Sequence, residues 1–290
     1  MTEVFANLTK ELAVVAGEIP GWYQEPLFWL FPVGANVVAF AAFVFMAVPL
    51  TLLALWNPPW AQRFWIQNRR SASHHRIVRM SVKQLLINFS TLIIFSVLSW
   101  PVLRLTGIHA GALPAWYVIA GQILLFAILD DFLYYWLHRT MHTNPFLYRK
   151  IHTVHHRIAT PLSISGNYMH PIEFLLISSM ILIGPILVGA HIVTLYLWVI
   201  VRQWEAAEQH SGFQFAFNPA HWLPFYDGAV FHDFHHSKFY GNYAGLLSWT
   251  DTVFGTRSNK YDEYMQNQRR TELTSVEPPE ANAASAASAN

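Results

Sequence analysis

The amino-acid sequence predicts an all-α integral membrane protein, and three observations support this fold class. Hydrophobic residues make up 53% of the 290 residues and charged residues only 12%, whereas soluble domains carry roughly 25% charged residues. Long stretches of the chain contain no charged residue at all, as a bilayer-crossing helix requires. The chain also has fifteen histidines and no cysteine, so any bound metal must be held by imidazole and carboxylate groups.

Four stretches are apolar enough to enter a bilayer. A helix needs ~20 apolar residues to cross the hydrocarbon core, and we predict membrane spans at Leu27–Trp56, Leu85–Leu103 and Leu113–Leu129. The fourth stretch, Phe174–Ile200, is interrupted by glycine and proline near its middle. It is too short for two full crossings, so we predict a bent or re-entrant hairpin there.

Basic residues mark one side of the membrane twice. The loop Asn57–Gln84 and the segment His138–Thr160 both contain several lysines and arginines and no acidic residue. Because lysine and arginine concentrate in cytoplasmic loops, both segments are predicted to lie on the cytoplasmic face. The net charge of +1 gives the protein no overall field that would recruit nucleic acid.

The histidines concentrate in three motifs that follow the third apolar stretch. Their spacings are HxxxH once and HxxHH twice, and their eight members are His138, His142, His152, His155, His156, His232, His235 and His236. Residues three and four apart on a helix share a face, so each motif is predicted to present its imidazoles as one stripe. Eight ligands of this size are too many for one ion, and the count therefore predicts two. Imidazole binds zinc, copper, iron and nickel, which leaves the metal open.

Other polar residues are candidates for supporting roles. His210 is our candidate for a ninth ligand. Ligating histidines usually donate their second N–H to a carboxylate or carbonyl group; Asp131 and Asp233 are candidates for that second shell, and His170 for the second shell or the cavity wall. Alternatively, these acids lie at the membrane interface and pair with a neighbour such as Arg139. Weaker candidates are Glu173, Glu205 and Glu208.

Several stretches of the chain resemble a known family. The run Asp130–His142 (DDFLYYWLHRTMH) and the stretches Leu147–Phe174, Trp204–Phe215 and Leu223–Thr256 are similar to the fatty-acid hydroxylase and sterol desaturase superfamily. The last of them, with FHDFHH, FYGNYA, SWTD and VFGT, looks most like the C4-methylsterol monooxygenases of that superfamily. The resemblance covers residues 113–260.

The resemblance implies a transmembrane helical bundle with a cytoplasmic helical cap that holds two iron ions, bound by the eight motif histidines and His210. It implies an O2-dependent monooxygenase that oxidises the C4 methyl group of sterol intermediates at the metal centre. Electrons would come from NAD(P)H through cytochrome b5 and its reductase. The enzyme would lie in the endoplasmic reticulum of a eukaryote, or in the inner membrane of a bacterium, with its active site on the cytoplasmic face.

The predicted organisation has three parts. An N-terminal membrane region spans 1–112, a catalytic domain spans 113–260, and a disordered tail spans 261–290. The end of the tail is rich in proline, alanine, serine and asparagine and has too few large apolar residues to build a core.

Other functions stay open on the sequence. A sterol C5 desaturase, a fatty-acyl hydroxylase or a lipid-headgroup hydroxylase would share the histidine motifs. A metal transporter would place ionisable residues along the spans, but the first two predicted spans contain none. A b-type cytochrome would pair histidines inside facing spans. A lone histidine near a membrane surface is usually an interfacial residue, but eight at one interface would be costly to desolvate without a shared ligand.

Overall fold

The structure is a computed structural model that describes residues 19–67 and 74–276, and this part of the chain is helical without any strand. Its α-helices of five or more residues are α1 (Ala35–Trp56), α2 (His74–Leu98), α3 (Trp116–Thr143), α4 (Pro145–Lys150), α5 (Pro171–Ile181), α6 (Ile183–Leu187), α7 (Ile192–Gln209), α8 (Ala229–Lys238), α9 (Trp249–Val253) and α10 (Asn259–Val276). Short helical segments connect them at Ile19–Gln24, Pro26–Phe28, Trp29–Gly34, Pro59–Gln62, Trp100–Leu103, His152–Arg157, Ser163–Ser165 and Pro219–Trp222. The predicted all-α class is confirmed.

Three helical stretches are long and apolar enough to cross a membrane. They are Pro26–Trp56, His74–Leu98 and Trp116–Thr143, and each overlaps one of the predicted spans. Large apolar side chains point away from the bundle; Phe45 is 74% exposed and Leu98 is 72% exposed. Such surfaces are stable only where lipid or another apolar partner covers them. The chain is therefore an integral membrane protein.

The first span starts with a wide helical turn and ends sharply. Pro32 lies inside the π-helical segment Trp29–Gly34. Because proline lacks an N–H group, it disrupts the regular hydrogen-bond ladder of an α-helix, and the wider turn forms around it. At the other end, Asn57 adopts a left-handed conformation with a φ of 46°, and its N–H donates to the Leu53 carbonyl at 2.8 Å. Two prolines follow, so the helix cannot continue.

The fourth apolar stretch forms a bent hairpin of α5, α6 and α7. At its tip, the His109 N–H donates to the Ala190 carbonyl at 3.3 Å and the Ile192 N–H donates to the His109 carbonyl at 2.8 Å. The chains come so close that a Cβ on Gly189 would lie 3.1 Å from the Gly107 carbonyl oxygen. The hairpin tip therefore lies where α2 connects to α3. The HxxxH motif lies at the other end of α3, a helix of 28 residues and roughly 40 Å.

The histidine-bearing end carries the remaining helices as a cap. Val230, Phe231 and Phe234 of α8 pack with Tyr261 of α10 in a small separate core. Because α10 is helical through Val276, the prediction of a disordered tail from residue 261 is wrong for 261–276, where aromatic contacts to α8 stabilise a helix. The rest of that predicted tail lies outside the described residues.

Candidate metal centre

The structure brings the nine histidines together at one end of the bundle. The HxxxH motif occupies the last turns of α3, the first HxxHH motif forms the 3₁₀ segment His152–Arg157, the second lies on α8, and His210 follows the last residue of α7. They form two groups, in each of which one nitrogen per residue lies within 4.8 Å of the others. The five-histidine cluster contains His138, His142, His152, His156 and His235. The four-histidine cluster contains His155, His210, His232 and His236.

Nitrogens in the five-histidine cluster converge on one point. The Nε2 atom of His142 lies 2.8 Å from that of His152 and 3.1 Å from that of His156. The Nε2 atoms of His152 and His156 are 2.9 Å apart, and those of His156 and His235 are 3.2 Å apart. His138 adds a buried Nε2 atom that has no hydrogen-bond partner in the described part of the chain. Unpaired buried nitrogens are costly unless they bind something.

The four-histidine cluster has the same geometry. The Nε2 atom of His210 lies 3.0 Å from that of His232 and 3.2 Å from that of His236. The Nε2 atoms of His232 and His236 are 3.1 Å apart, and that of His155 is 3.4 Å from that of His210. Two imidazole nitrogens that bind one first-row ion at about 2.1 Å and at right angles lie about 3.0 Å apart. Both clusters therefore fit a metal ion each.

The two HxxHH motifs are shared between the clusters in opposite ways. His152 and His156, four residues apart, belong to the five-histidine cluster, whereas His155 between them belongs to the four-histidine cluster. On α8, the pair four residues apart joins the four-histidine cluster and His235 joins the other. The prediction that each motif forms one stripe is wrong in this respect, because adjacent histidines on a helical turn point about 100° apart.

Hydrogen bonds fix the orientation of most of these rings. The Nδ1 atoms of five histidines face backbone carbonyl oxygens: His138 to Tyr243 at 2.7 Å, His155 to Tyr168 at 3.1 Å, His210 to Ala206 at 2.8 Å, His235 to Gly241 at 2.7 Å, and His236 to Ile158 at 3.1 Å. A carbonyl oxygen can only accept, so each Nδ1 carries the proton and each Nε2 presents its lone pair to the cluster. This tautomer is the one that metal binding requires.

Burial keeps the imidazoles neutral. It lowers the pKa of His155 to about 4 and the pKa values of His210 and His235 to about 3, because charged imidazolium is poorly solvated in the interior. Neighbouring histidines lower the pKa of His210 further. Neutral imidazole is the metal-binding form, so these histidines need lose no proton to bind an ion near neutral pH.

Comparisons with known proteins identify the family. A model of the fatty acid hydroxylase family matches residues 123–256, a region that contains all nine histidines. A very-long-chain aldehyde decarbonylase of Oryza sativa subsp. japonica is 38% identical over 193 residues, which cover 65% of this chain and 71% of that protein. The chain belongs to the fatty acid hydroxylase family. The resemblance expected from the sequence is thereby confirmed.

Two kinds of relative in the fatty acid hydroxylase family are similarly close. Methylsterol monooxygenase 2-2 of Arabidopsis thaliana is 40% identical over 176 residues, which cover 59% of this chain and 66% of that protein. Methylsterol monooxygenase 1 of Gallus gallus is 40% identical over 161 residues, covering 56% of this chain and 54% of that protein. No solved structure matches the chain significantly. Identity alone therefore does not separate a sterol substrate from an aldehyde substrate.

Asp131 has a role in this family member that differs from the predicted one. Its two carboxylate oxygens accept the backbone N–H groups of Leu246 and Leu247 at 2.8 and 2.9 Å, and no hydrogen bond joins it to His138. Seven residues on a helix correspond to about 10.5 Å along its axis, which is too far for a direct contact. Asp131 instead fixes the segment whose Tyr243 carbonyl contacts His138. Arg139 donates to Tyr135 and is not its partner.

Asp233 and His170 also bind groups other than the clustered histidines. The Asp233 Oδ1 atom accepts from Gln67 Nε2 at 2.8 Å, because the side chain following His232 projects from a different side of α8. The His170 Nδ1 atom accepts from the Ile172 N–H at 3.2 Å and caps the N-terminus of α5. Asp233 therefore has no direct contact with a ligating histidine, and the assignment of His170 to the second shell or the cavity wall stays a prediction.

Glu173, predicted only as a weaker candidate, is the carboxylate that contacts a clustered histidine. Its Oε1 atom lies 2.7 Å from His152 Nδ1, and both side chains are at least 98% buried. Glu173 comes two residues after the start of α5, and its only sequence signal is an acid directly before an apolar run. Of the other weak candidates, Glu205 pairs with Arg202 and Glu208 accepts from Asn218.

A cavity lies against one cluster. His155, His210 and His232 line it, and among the described residues no member of the five-histidine cluster does. Arg202 also lines it and forms buried ion pairs with Glu205 and, at 3.0 Å, with Asp130. The site thus contains two imidazole clusters, and the four-histidine cluster borders the cavity. The charge of Arg202 in the cavity wall is balanced by Glu205 and Asp130.

Proposed function

We propose that this chain is a membrane di-iron oxygenase that oxidises the C4 methyl group of sterol intermediates with O2. The observation that carries the proposal is the pair of imidazole clusters, one of which forms the wall of a cavity inside a membrane-embedded helical bundle. The methylsterol monooxygenase relatives support the choice of a sterol substrate. Electrons come from NAD(P)H through cytochrome b5 and its reductase.

Nine histidines hold the two ions in this proposal, five in one cluster and four in the other. The nine histidines would hold iron, and bound iron would activate O2 to attack an unactivated C–H bond, which amino acid side chains alone cannot break. The side chains do the rest of the work: the carbonyl-bound Nδ1 atoms hold the imidazoles in the metal-binding tautomer, and the buried cavity excludes bulk water and orients the substrate.

The proposed location follows from the substrate. A sterol dissolves in the bilayer, and the clusters lie at the end of α3 where the chain leaves the predicted span. The basic residues beside this end support a location on the cytoplasmic face. We propose the endoplasmic reticulum for a eukaryotic source and the inner membrane for a bacterial one.

A second candidate is an enzyme acting on long-chain aldehydes. The relative named a very-long-chain aldehyde decarbonylase favours this candidate. It is 38% identical and matches a larger share of this chain than the methylsterol monooxygenases do. This enzyme would use the same clusters and the same cavity. A haem protein, in contrast, needs two imidazoles on opposite faces of a flat macrocycle, and imidazole nitrogens about 3 Å apart leave no space for one.

Metal analysis and product analysis test the proposal together. The full chain, purified in lipid nanodiscs, is analysed for metal and by Mössbauer spectroscopy, and then supplied with O2, NADPH, cytochrome b5 and its reductase. A 4,4-dimethyl sterol, a C5-saturated sterol and a long-chain aldehyde serve as alternative substrates. We expect two irons per chain and an oxidised C4 substituent. One iron or none, together with no oxidised sterol, would refute the proposal.

A further inference from the structure

Two cavities meet between the membrane-crossing helices and the four-histidine cluster. The inner cavity is the one lined by His155, His210 and His232. The outer cavity lies among the first span, α2, the segment Trp100–Leu103, α5 and α7, and its wall includes Phe31, Leu92 and Val199. Ser178, Ile181 and Gln203 line both cavities. These shared residues form the boundary at which the two cavities adjoin, with the outer cavity on the side of the apolar bundle and the inner one on the side of the cluster.

The two cavities differ in polarity. The outer cavity is walled mainly by aliphatic and aromatic side chains. The inner cavity is walled by many polar side chains, such as Asn167, Glu173, Gln203 and Gln209. A lipid with one polar end and a long apolar body is complementary to this pair of spaces, because burying a polar group among apolar ones is costly. It would bind with its polar end in the inner cavity.

Several polar groups of the inner cavity already have partners. Arg202 is paired with two carboxylates, and the Gln209 Nε2 atom donates to the Gly245 carbonyl at 2.8 Å. The Asn167 Nδ2 atom donates to Gln203 Oε1 at 3.0 Å. Such groups are satisfied, and a ligand gains little from them.

Glu173 and Gln203 keep one hydrogen-bonding group each for a ligand. Glu173 uses Oε1 for His152, while its Oε2 atom is buried and has no partner within 19–67 and 74–276. Gln203 uses Oε1 for Asn167, and among the described residues its Nε2 amino group has no acceptor. Both side chains are buried, at 2% and 7% exposure. An unsatisfied acceptor and an unsatisfied donor in one cavity complement a group that both donates and accepts, and a hydroxyl is such a group.

We propose that the inner cavity is a hydroxyl-binding site, in which Glu173 and Gln203 bind the alcohol oxygen of a lipid that enters with its polar end first. The hydroxyl donates to Glu173 Oε2 and accepts from Gln203 Nε2. The proposal rests on the proposed function and narrows it to lipids whose reacting carbon lies close to a hydroxyl group. The 3-hydroxyl of a sterol, on the carbon next to C4, meets this condition.

Binding without turnover tests the proposal. The metal-loaded full chain in lipid nanodiscs is kept free of O2, and the dissociation constants of a 4,4-dimethyl sterol and of its 3-O-methyl ether are measured. The ether can accept but not donate, so we expect wild-type protein to bind the free alcohol about tenfold more tightly. Glu173→Gln should lower this preference about threefold, because an amide N–H beside the hydroxyl cannot accept from it. Gln203→Leu should weaken the binding of alcohol and ether alike by about threefold, because the oxygen of each accepts from Gln203 Nε2.

Two controls separate recognition from folding and metal loss. Gln122→Leu makes the same chemical change on α3, where Gln122 lines neither cavity and its Oε1 atom has no partner among the described residues; this variant should keep the full affinity for both ligands and the full preference. Metal content is measured for every variant, because Glu173 also contacts His152. If Glu173→Gln lost metal, the affinity of Gln203→Leu for the two ligands would decide. Equal binding of alcohol and ether by wild-type protein, an undiminished preference in metal-loaded Glu173→Gln, or undiminished affinity for both ligands in Gln203→Leu would overturn the proposal.

The same measurements distinguish this proposal from the proposed function. Selective binding of the alcohol without any oxidised product would support the hydroxyl site and refute the sterol oxidase. Oxidation of the alcohol and the ether at equal rates and affinities would support the oxidase and refute the hydroxyl site. Absence of sterol binding would refute both.

Discussion

The five-histidine and four-histidine clusters are built from the same motifs but have different surroundings. Each takes residues from both HxxHH segments, and each holds imidazole nitrogens about 3 Å apart. The five-histidine cluster is supported by Glu173 and by the segment around Tyr243. The four-histidine cluster instead forms the wall of the inner cavity. The five-histidine cluster is therefore enclosed by the protein where Glu173 and the segment around Tyr243 contact it. The four-histidine cluster adjoins the space where a substrate can bind.

The two clusters are interdependent, because each HxxHH motif contributes histidines to both of them. Moving the segment His152–Arg157 or α8 shifts ligands of both clusters at once. Their hydrogen-bonded supporting groups, in contrast, are separate, since Glu173 and the Tyr243 carbonyl hydrogen-bond to His152 and His138 of the five-histidine cluster. Substitutions of ligands and of supporting residues should therefore have different effects, and the following variants test that difference.

His155→Ala should have the largest effect. It leaves three imidazoles in the four-histidine cluster, and we expect metal content to fall from about two ions to about one per chain and turnover to fall at least about a thousandfold. Elemental analysis and a product assay measure this. His75→Ala, which removes an exposed histidine near the start of α2, should retain both ions. Two ions and normal turnover in His155→Ala would contradict the assignment.

Glu173→Ala should weaken the five-histidine cluster selectively. Loss of the carboxylate beside His152 leaves a buried N–H group without an acceptor, and such changes lower metal affinity about 10- to 100-fold. Competition with a chelator measures the affinity of each ion. Glu173→Gln should recover most of it, because an amide oxygen still accepts from His152 Nδ1. Equal losses in the two variants, or a loss confined to the four-histidine cluster, would be inconsistent with this support.

Asp131→Asn should affect stability more than metal binding. The carboxylate that accepts two buried N–H groups is replaced by an amide with one acceptor, and we expect a loss of about 1–3 kcal/mol in the free energy of unfolding. Thermal unfolding in nanodiscs measures this. Asp262→Asn, at a half-exposed ion pair with Arg257, should cost at most about 1 kcal/mol. Loss of metal from a fully folded Asp131→Asn protein would instead indicate that Asp131 orients a ligating histidine, as the sequence predicted.

His170→Ala should have the smallest effect. It removes the side chain that caps α5, and the expected cost is about 1 kcal/mol, seen as a small decrease in unfolding temperature. Both ions should remain bound. Loss of an ion at unchanged stability would show that His170 belongs to one of the clusters after all.

Hydropathy and spacing were sufficient to predict much of this architecture. The spans Leu27–Trp56 and Leu113–Leu129 could be located because a bilayer-crossing helix must be continuous and apolar. The nine histidines could be singled out because several imidazoles near one membrane surface need a common purpose. The structure does bring those nine together, and their binding of two irons is our proposal.

The supporting contacts could not be predicted in the same way. Asp131 was selected because it is close to His138 in sequence, whereas the partner of His138 is a backbone carbonyl 105 residues later. A carbonyl has no sequence signal, since every residue has one. Glu173 was ranked low because its contact with His152 joins α5 to a 3₁₀ segment, and neither motif contains information about the other.

The sequence by itself determined which segments enter the membrane and which imidazoles are available for metal, because these depend on composition and on spacing along one helix. Only the tertiary structure decided how the histidines are divided into five and four, which groups hold their rings, and which cluster adjoins the cavity. Those properties depend on the relative rotation and position of α3, α7, α8 and the segment His152–Arg157. Packing between elements distant in the sequence sets these rotations, and no local pattern contains them.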